Sequence, residues 1–138
     1  MRRLTALAVL ALAGCGSGTP SPESVVRAWS EAVNSEDNAS AARLFAEGAE
    51  VIQGTDVRRL RTFEEARTWN EGLPCSGRIL ALEVQGAVVR ATFLLGNRGR
   101  TRCDGPGQRA RALFRVEHGK IVLWHQLDPL LEPEEESA

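Results

Sequence analysis

Two histidines, three cysteines, eighteen carboxylates and no tyrosine are what this chain of 138 residues has for chemistry. That inventory excludes more than it permits. A metal centre needs ligands at short recurring spacings, and Cys15, Cys75, Cys103, His118 and His125 offer neither paired cysteines nor a His–x₃–His pair. Neither a metal nor a cofactor is expected. No serine stands in a hydrolase-type elbow, and Gly96-Asn97-Arg98-Gly99 reads as a plain loop, not a phosphate cradle. General acid–base work remains, and a phenol cannot take part in it. His118 precedes Gly119 in a tight turn and reads as structural. His125 reads either as a neutral core histidine held by one hydrogen bond or as the candidate base, because an imidazole works near neutral pH.

Whether His125 reaches a pocket depends on the strands around it. Between Arg78 and Leu127 the alternation of apolar residues reads as a four-strand antiparallel meander. Leu80, Leu82 and Val84 share a face with Ala87, Val89, Ala91, Phe93 and Leu95. Ala110, Ala112, Phe114 and Val116 continue that face, followed by Ile121, Leu123, His125 and Leu127. Glu83, Arg90, Thr92, Arg109, Arg111, Arg115 and Gln126 make the other face polar. A turn at Gln85-Gly86 sets Val84 opposite Ala87 and Leu82 opposite Val89. A turn at His118-Gly119 sets Val116 opposite Ile121, Phe114 opposite Leu123 and Ala112 opposite His125. His125 is therefore expected inside, with small Ala110 and Ala112 leaving room before its ring and Arg78 at the sheet margin. No Asp or Glu falls on an inward position. Trp124 is expected outside with Leu113 and Val122, either a patch for a homodimer or the covered edge of a barrel-like sheet. The same register sets Cys75 opposite Gly96 or Asn97. Cys103 lies in the loop that turns at this end, so a Cys75–Cys103 bridge is expected in an oxidising compartment.

The chain ahead of the meander supplies an address and a cover. Met1-Arg2-Arg3 and the ten-residue run Leu4 to Ala13, apolar but for Thr5, match a secretory signal. A spanning helix needs about 20 residues, so this run is too short to cross a bilayer. It ends in Leu12-Ala13-Gly14-Cys15, which resembles the bacterial lipobox. That resemblance implies cleavage before Cys15, acylation there (palmitate included), and a place on the cell membrane or outer membrane outside the cytoplasm. Two or more acyl chains suffice for stable anchoring. Residues 1–14 are then signal peptide, 15–22 a flexible tether, 23–127 the domain and 128–138 an acidic tail expected to be disordered. Ser21, Pro22 and Glu23 read as the start of a helix with Val25, Val26, Trp29, Ala32 and Val33 on one stripe. A second short helix carries Ala41, Ala42, Leu44 and Phe45 and ends at Gly48. Strands over Ala49–Gln53 and Val57–Arg61 flank Gly54-Thr55. The capping box Thr62 to Glu65 opens a third helix, about Phe63 to Glu71, burying Phe63, Ala66 and Trp69. Composition is ordinary for one soluble domain, with 43% hydrophobic and 25% charged residues. The net charge of −1 gives no footprint for nucleic acid, and none is expected as a partner.

This order of elements resembles the nuclear transport factor 2-like (SnoaL-like) superfamily. The likeness is carried by Val25-Val26-Arg27-Ala28-Trp29, by Ala41 through Val51, and by Phe114 through His125, and it covers roughly Glu23 to Leu127. It implies an α+β, cone-shaped fold: three N-terminal helices packed on a curved, mostly antiparallel sheet around an apolar pocket, often in dimers. Members include isomerases, dehydratases, epoxide hydrolases, polyketide cyclases and non-catalytic modules, so the fold selects no reaction. Asp56 and Arg58 resemble the Asp/Arg arrangement of the epoxide hydrolases, but Asp56 beside Gly54-Thr55 reads as a turn residue. Trp29, Trp69, Phe93, Phe114 and His125 are the expected lining of a ligand pocket. The expectation is a membrane-anchored lipoprotein that binds a small apolar ligand or a protein partner without catalysis. One alternative is an isomerase-, cyclase- or hydrolase-type enzyme with His125 as general base. The other is a structural accessory domain of a cell-envelope assembly. A pocket with His125 on its floor favours the ligand or the enzyme; a cone filled by Trp29, Trp69 and Phe114 favours the assembly.

Overall fold

The computed structural model describes residues 18–127; the signal segment, Cys15 and the acidic tail lie outside the described residues. Helix α1 (Pro22–Asn34) begins where Ser21 Oγ accepts the Ser24 N–H at 3.2 Å, with Pro22 in the first turn. Its buried stripe is the expected one, joined by Ser30. Helix α2 (Asn38–Arg43) is capped by Asp37, whose carboxylate accepts from the Ser40 N–H at 3.0 Å and the Ser40 hydroxyl at 2.7 Å. This helix does not continue to Gly48. The Leu44 carbonyl accepts the Ile121 N–H at 2.8 Å, and strand β1 (Phe45–Gln53) starts at once. Phe45 pairs with Ile121 and Ala49–Gln53 with β2, so the chain leaves the helix although Ala46 and Glu47 between them favour it.

Strand β2 (Asp56–Leu60) returns antiparallel to β1, and α3 (Phe63–Glu71) follows with the expected bounds. Thr62 Oγ1 accepts the Glu65 N–H at 3.1 Å, while the Glu65 carboxylate takes the Arg61 N–H at 2.7 Å. Ala66 and Trp69 are buried. Phe63 is not: it is 41% exposed, and the Arg43 guanidinium lies 5.6 Å from its ring centre.

Strands β3 (Cys75–Gln85), β4 (Val88–Asn97), β5 (Arg109–Glu117) and β6 (Lys120–Leu127) form the meander. The sheet runs β2-β1-β6-β5-β4-β3, antiparallel throughout except where β1 lies parallel to β6. The architecture is α+β with a mostly antiparallel sheet, as expected. Its first hairpin turns at Gly86-Ala87, not Gln85-Gly86, so Val84 meets Val89 and Leu82 meets Ala91. A shift of two in the partner leaves the faces unchanged. The second turn is His118-Gly119, with φ 51° and 74°, and Val116 does meet Ile121.

Two bulges then exchange faces. In β3, Leu80 is the extra residue between Ile79, opposite Phe93, and Ala81, opposite Thr92. Ile79 therefore packs on the core in the place expected for Leu80, which is exposed. In β6 the extra residue is Val122: Val116 pairs with Ile121, but Arg115 pairs with Leu123. Beyond it Phe114 meets Trp124, Leu113 meets His125, and Ala112 meets Gln126. A slip of one residue turns every later side chain over. Trp124 thus points inward and is buried, while Leu123, His125 and Leu127 take the outer face. Burial explains the choice. An indole removes about 150–250 Å² from water, worth roughly 4–6 kcal/mol at ~25 cal/mol/Å², as an upper estimate. An inward imidazole would bury less and would need partners for two ring nitrogens.

Inside the cone the rings meet edge to face. Trp29 and Phe114 are 5.3 Å apart, Trp69 and Trp124 4.9 Å, and Phe45 and Trp69 5.7 Å. Among the described residues no helix is long and apolar enough to cross a membrane.

Candidate functional site

Beyond those rings, toward the end of α1, the cone is not filled. A cavity of about 270 Å³ lies between the C-terminal turn of α1, the start of β3, the end of β4, the start of β5 and the end of β6. Small side chains on β5 make the space: Ala110 faces Phe93, and Ala112 faces Ala91 and Gln126. Trp29, Val33, Phe93, Leu95 and Trp124 supply apolar wall.

One side of the cavity is held by α1 reading the backbone of an edge strand. Asn34 Oδ1 accepts the Gly77 N–H at 2.8 Å, and Asn34 Nδ2 donates to the Gly77 carbonyl at 3.0 Å. Ser30 Oγ donates to the same carbonyl at 2.9 Å. These bonds satisfy main-chain groups that an edge strand would leave open. Gly77 packs closely on the wall, since a Cβ there would lie 3.1 Å from Phe93 Cδ1 and the ring would have to give by a few tenths of an ångström.

The rim is closed by chemistry of another kind. Cys75 lies opposite Asn97, and the expected disulfide to Cys103 is present. Asn97 Oδ1 accepts the Cys103 N–H at 2.9 Å, so the β4–β5 loop is tied at two neighbouring points. Cys75, Cys103 and Asp104 are the one close group of metal-type ligands among the described residues. The bridge consumes both thiolates, so the group does not fit a metal.

Arg98, read from the sequence as part of a plain loop, is 4% exposed and supports the site from behind. Its Nη1 donates to the carbonyls of Asn70 at 2.8 Å and Leu73 at 2.9 Å, at the end of α3, and its Nη2 to Asn38 Oδ1 at 2.7 Å. Burial lowers its pKa, and the nearby carboxylates of Glu36 and Glu71 raise it. Asn70 carries the network inward: its Oδ1 accepts Trp29 Nε1–H at 2.9 Å and its Nδ2 donates to the Ala66 carbonyl at 2.8 Å. A wall residue of the cavity is thereby fixed through α3.

Of the five expected lining residues, the structure brings two to the cavity, Trp29 and Phe93. Phe114 is fully buried in the ring cluster, and Trp69 lies between that cluster and an outer groove. His125 sits on the opposite face of the sheet, between Leu113 and Ile52. The place it was expected to fill, opposite Ala112, belongs to Gln126. Trp124, expected on an outer patch, lines the cavity instead. Gln53 and Gln126, with Ser30, Asn34, Ser76 and Asp104, are among the polar lining residues that sequence reasoning missed. The signal for Gln126 was the alternation itself, hidden by one extra residue. The titratable residues at the lining are the exposed Asp104 and Arg111, the latter with its side chain on the outer face beside Leu127; the other polar side chains are hydroxyls and carboxamides.

A wider, open groove of about 670 Å³ between β2 and α3 shares Gln53 and Leu73 with the cavity. Arg58, Arg59 and Arg61 line it. Arg58 pairs with Asp56 at 3.2 Å and Arg59 with half-buried Glu50 at 3.6 Å; the other three are exposed, and such pairs are worth little.

No protein-family model matches the chain, and no curated protein matches its sequence. Solved structures do match in shape. A nuclear transport factor 2-like protein of unknown function from Cytophaga hutchinsonii is 19% identical at a TM-score of 0.65, over 84% of this chain and 99% of its own. A candidate polyketide cyclase from Sinorhizobium meliloti is 15% identical at 0.63, over 75% and 93%. A hypothetical protein with a ketosteroid isomerase-like fold from Catenulispora acidiphila, in complex with trimethylamine, is 17% identical at 0.58, over 82% and 88%. Likeness at this level establishes the fold, which is nuclear transport factor 2-like, and nothing about activity.

Proposed function

We propose that this nuclear transport factor 2-like domain is exported, held to a membrane by acyl chains on Cys15, and binds a small, neutral, largely apolar molecule in the cavity beside Trp29 without transforming it. The observation that carries the binding reading is the lining. Rings and alkyl groups surround the space, and the carboxamides of Gln53 and Gln126 can donate to and accept from a single polar group on the ligand. A carboxamide neither takes nor releases a proton near neutral pH, so the place opposite Ala112 offers orientation rather than a base. The alternative of an enzyme using His125 loses its geometry, because the bulge at Val122 turns that imidazole to the other side of the sheet. The reading of a structural accessory domain draws on the solid ring cluster beneath the cavity, and the homodimer face loses Trp124 as its centre. The Cys75–Cys103 bridge supports export, since such bonds persist where the surroundings are oxidising.

Binding is tested with cyclohexanone and benzyl alcohol as probes, followed by the NMR shifts of the indole N–H groups of Trp29 and Trp124. Ala112→Phe should fill the cavity and abolish saturable shifts while the protein stays folded. Undiminished binding in that variant refutes the site. Anchoring is tested separately: Cys15→Ser should release the protein from membranes and stop incorporation of labelled fatty acid. A variant that stays membrane-bound, with a wild type that takes up no label, refutes the anchor.

A further inference from the structure

We propose that the domain stands on the membrane by its hairpin tips, with the cavity mouth turned away from lipid, so that the ligand exchanges with the aqueous space and not with the bilayer. This rests on the reading that Cys15 carries the anchor. The start of the described chain is seated on the β5–β6 turn. A Cβ placed on Gly119 would stand 3.1 Å from Pro20 Cδ and 3.3 Å from Thr19 Cγ2. Thr19 is four Cα–Cα steps from Cys15, a reach of at most about 14 Å. The β3–β4 turn lies at the same end, because the Val116 N–H donates to the Ala87 carbonyl at 2.8 Å. The end of α2 lies there too, its Arg43 carbonyl accepting from the Lys120 ammonium.

The mouth lies at the other end. Helix α1 starts beside Gly119, and its 13 residues carry the chain about 18 Å before Asn34 meets Gly77 at the cavity wall. Strand β5 gives the same polarity: Glu117 is at the turn end, and Ala110, nearer its start, lines the cavity. From Ala110 to Glu117 the strand covers roughly 24 Å. A mouth pressed to the lipid would require the tether to bridge that length, well beyond its reach. Reach decides the orientation, not charge, since the turn end carries both signs: Arg43 and Lys120 beside Glu117.

The test uses the full-length lipidated protein in phosphatidylethanolamine–phosphatidylglycerol vesicles that contain headgroup spin-labelled lipid. Fluorophores are attached through Gln85→Cys, exposed at the β3–β4 turn, or Thr55→Cys, exposed between β1 and β2 near the mouth. The label at Gln85→Cys should be quenched and that at Thr55→Cys should not. Intact mass of the membrane form is read first. Without acyl mass the anchor reading fails, and this proposal with it. With acyl mass present, equal or reversed quenching overturns the orientation alone. Inserting about 20 Gly/Ser residues after Gly18 should erase the difference, because the tether can then span the domain. A difference that survives the insertion refutes the argument from reach.

Discussion

Replacing Arg98 by Met keeps most of the side chain's length and removes its donors. Three charge-assisted hydrogen bonds disappear, to Asn70 O, Leu73 O and Asn38 Oδ1. Each such bond is worth roughly twice a neutral one before desolvation, but returning the guanidinium to water recovers part of that. The Asn70 carbonyl also keeps the Leu73 N–H at 3.3 Å as a donor, whereas Leu73 O and Asn38 Oδ1 are left with only the partial access to water of half-buried groups. A net of about 1 kcal/mol per bond gives a loss of roughly 3 kcal/mol. For a domain of this size that lowers the melting temperature by roughly 10–20 °C. Arg98→Lys should fall between, since one ammonium cannot occupy the same fork. Differential scanning calorimetry of the three proteins decides the matter. Buried ionic groups are sometimes replaced by apolar ones at no cost, when desolvation exceeds the bonds made. An unchanged or raised melting temperature for Arg98→Met would place Arg98 in that class and refute its role as a clamp.

Alkylation without reductant should leave the mass of the denatured Cys15→Ser protein unchanged. Removing the bridge with Cys75→Ala and Cys103→Ala should cost up to about 3–4 kcal/mol in urea, for a sequence separation of 28. Two alkylated thiols in the Cys15→Ser protein would rule the bridge out. The Ser40 hydroxyl and N–H lower the pKa of Asp37 in the folded state, so its contribution is present above the ordinary carboxylate range and lost as pH falls through the lowered value. The stability gap between wild type and Asp37→Ala should therefore persist from neutral pH down to about pH 4 and close below it; a gap independent of pH contradicts the cap. His125→Ala should leave the cyclohexanone-induced shifts of Trp29 and Trp124 unchanged, while Gln126→Ala alters them. The opposite pattern would mean that β6 is registered without its bulge.

Much of this fold could be read from residue types. In β4 and β5 strict alternation put Val89, Ala91, Phe93, Ala112, Phe114 and Val116 on the buried face, where they are. Ser21, Thr62 and the stripe of α1 declared themselves by capping chemistry and spacing. What failed was counting through β3 and β6. Alternation has no mark for an inserted residue, and Leu80 and Val122 are as apolar as their neighbours. The site suffered most, because its nearest wall is built beyond Val122. Arg98 failed for another reason: an arginine between glycines looks solvated until the end of α3 arrives to accept its protons. Phe63 failed because a charged neighbour, Arg43, gives its ring an alternative to the core.

The extra residue in β6 also bears on how such a pocket changes over descent. Straightening the strand with every residue retained would bring His125 opposite Ala112 and send Trp124 outside, with no substitution. Losing Val122 would straighten it too, yet leave Phe114 opposite Trp124 and Ala112 opposite Gln126. One position thus separates two pockets: a deletion would keep the carboxamide wall, and a slip would exchange an indole for an imidazole.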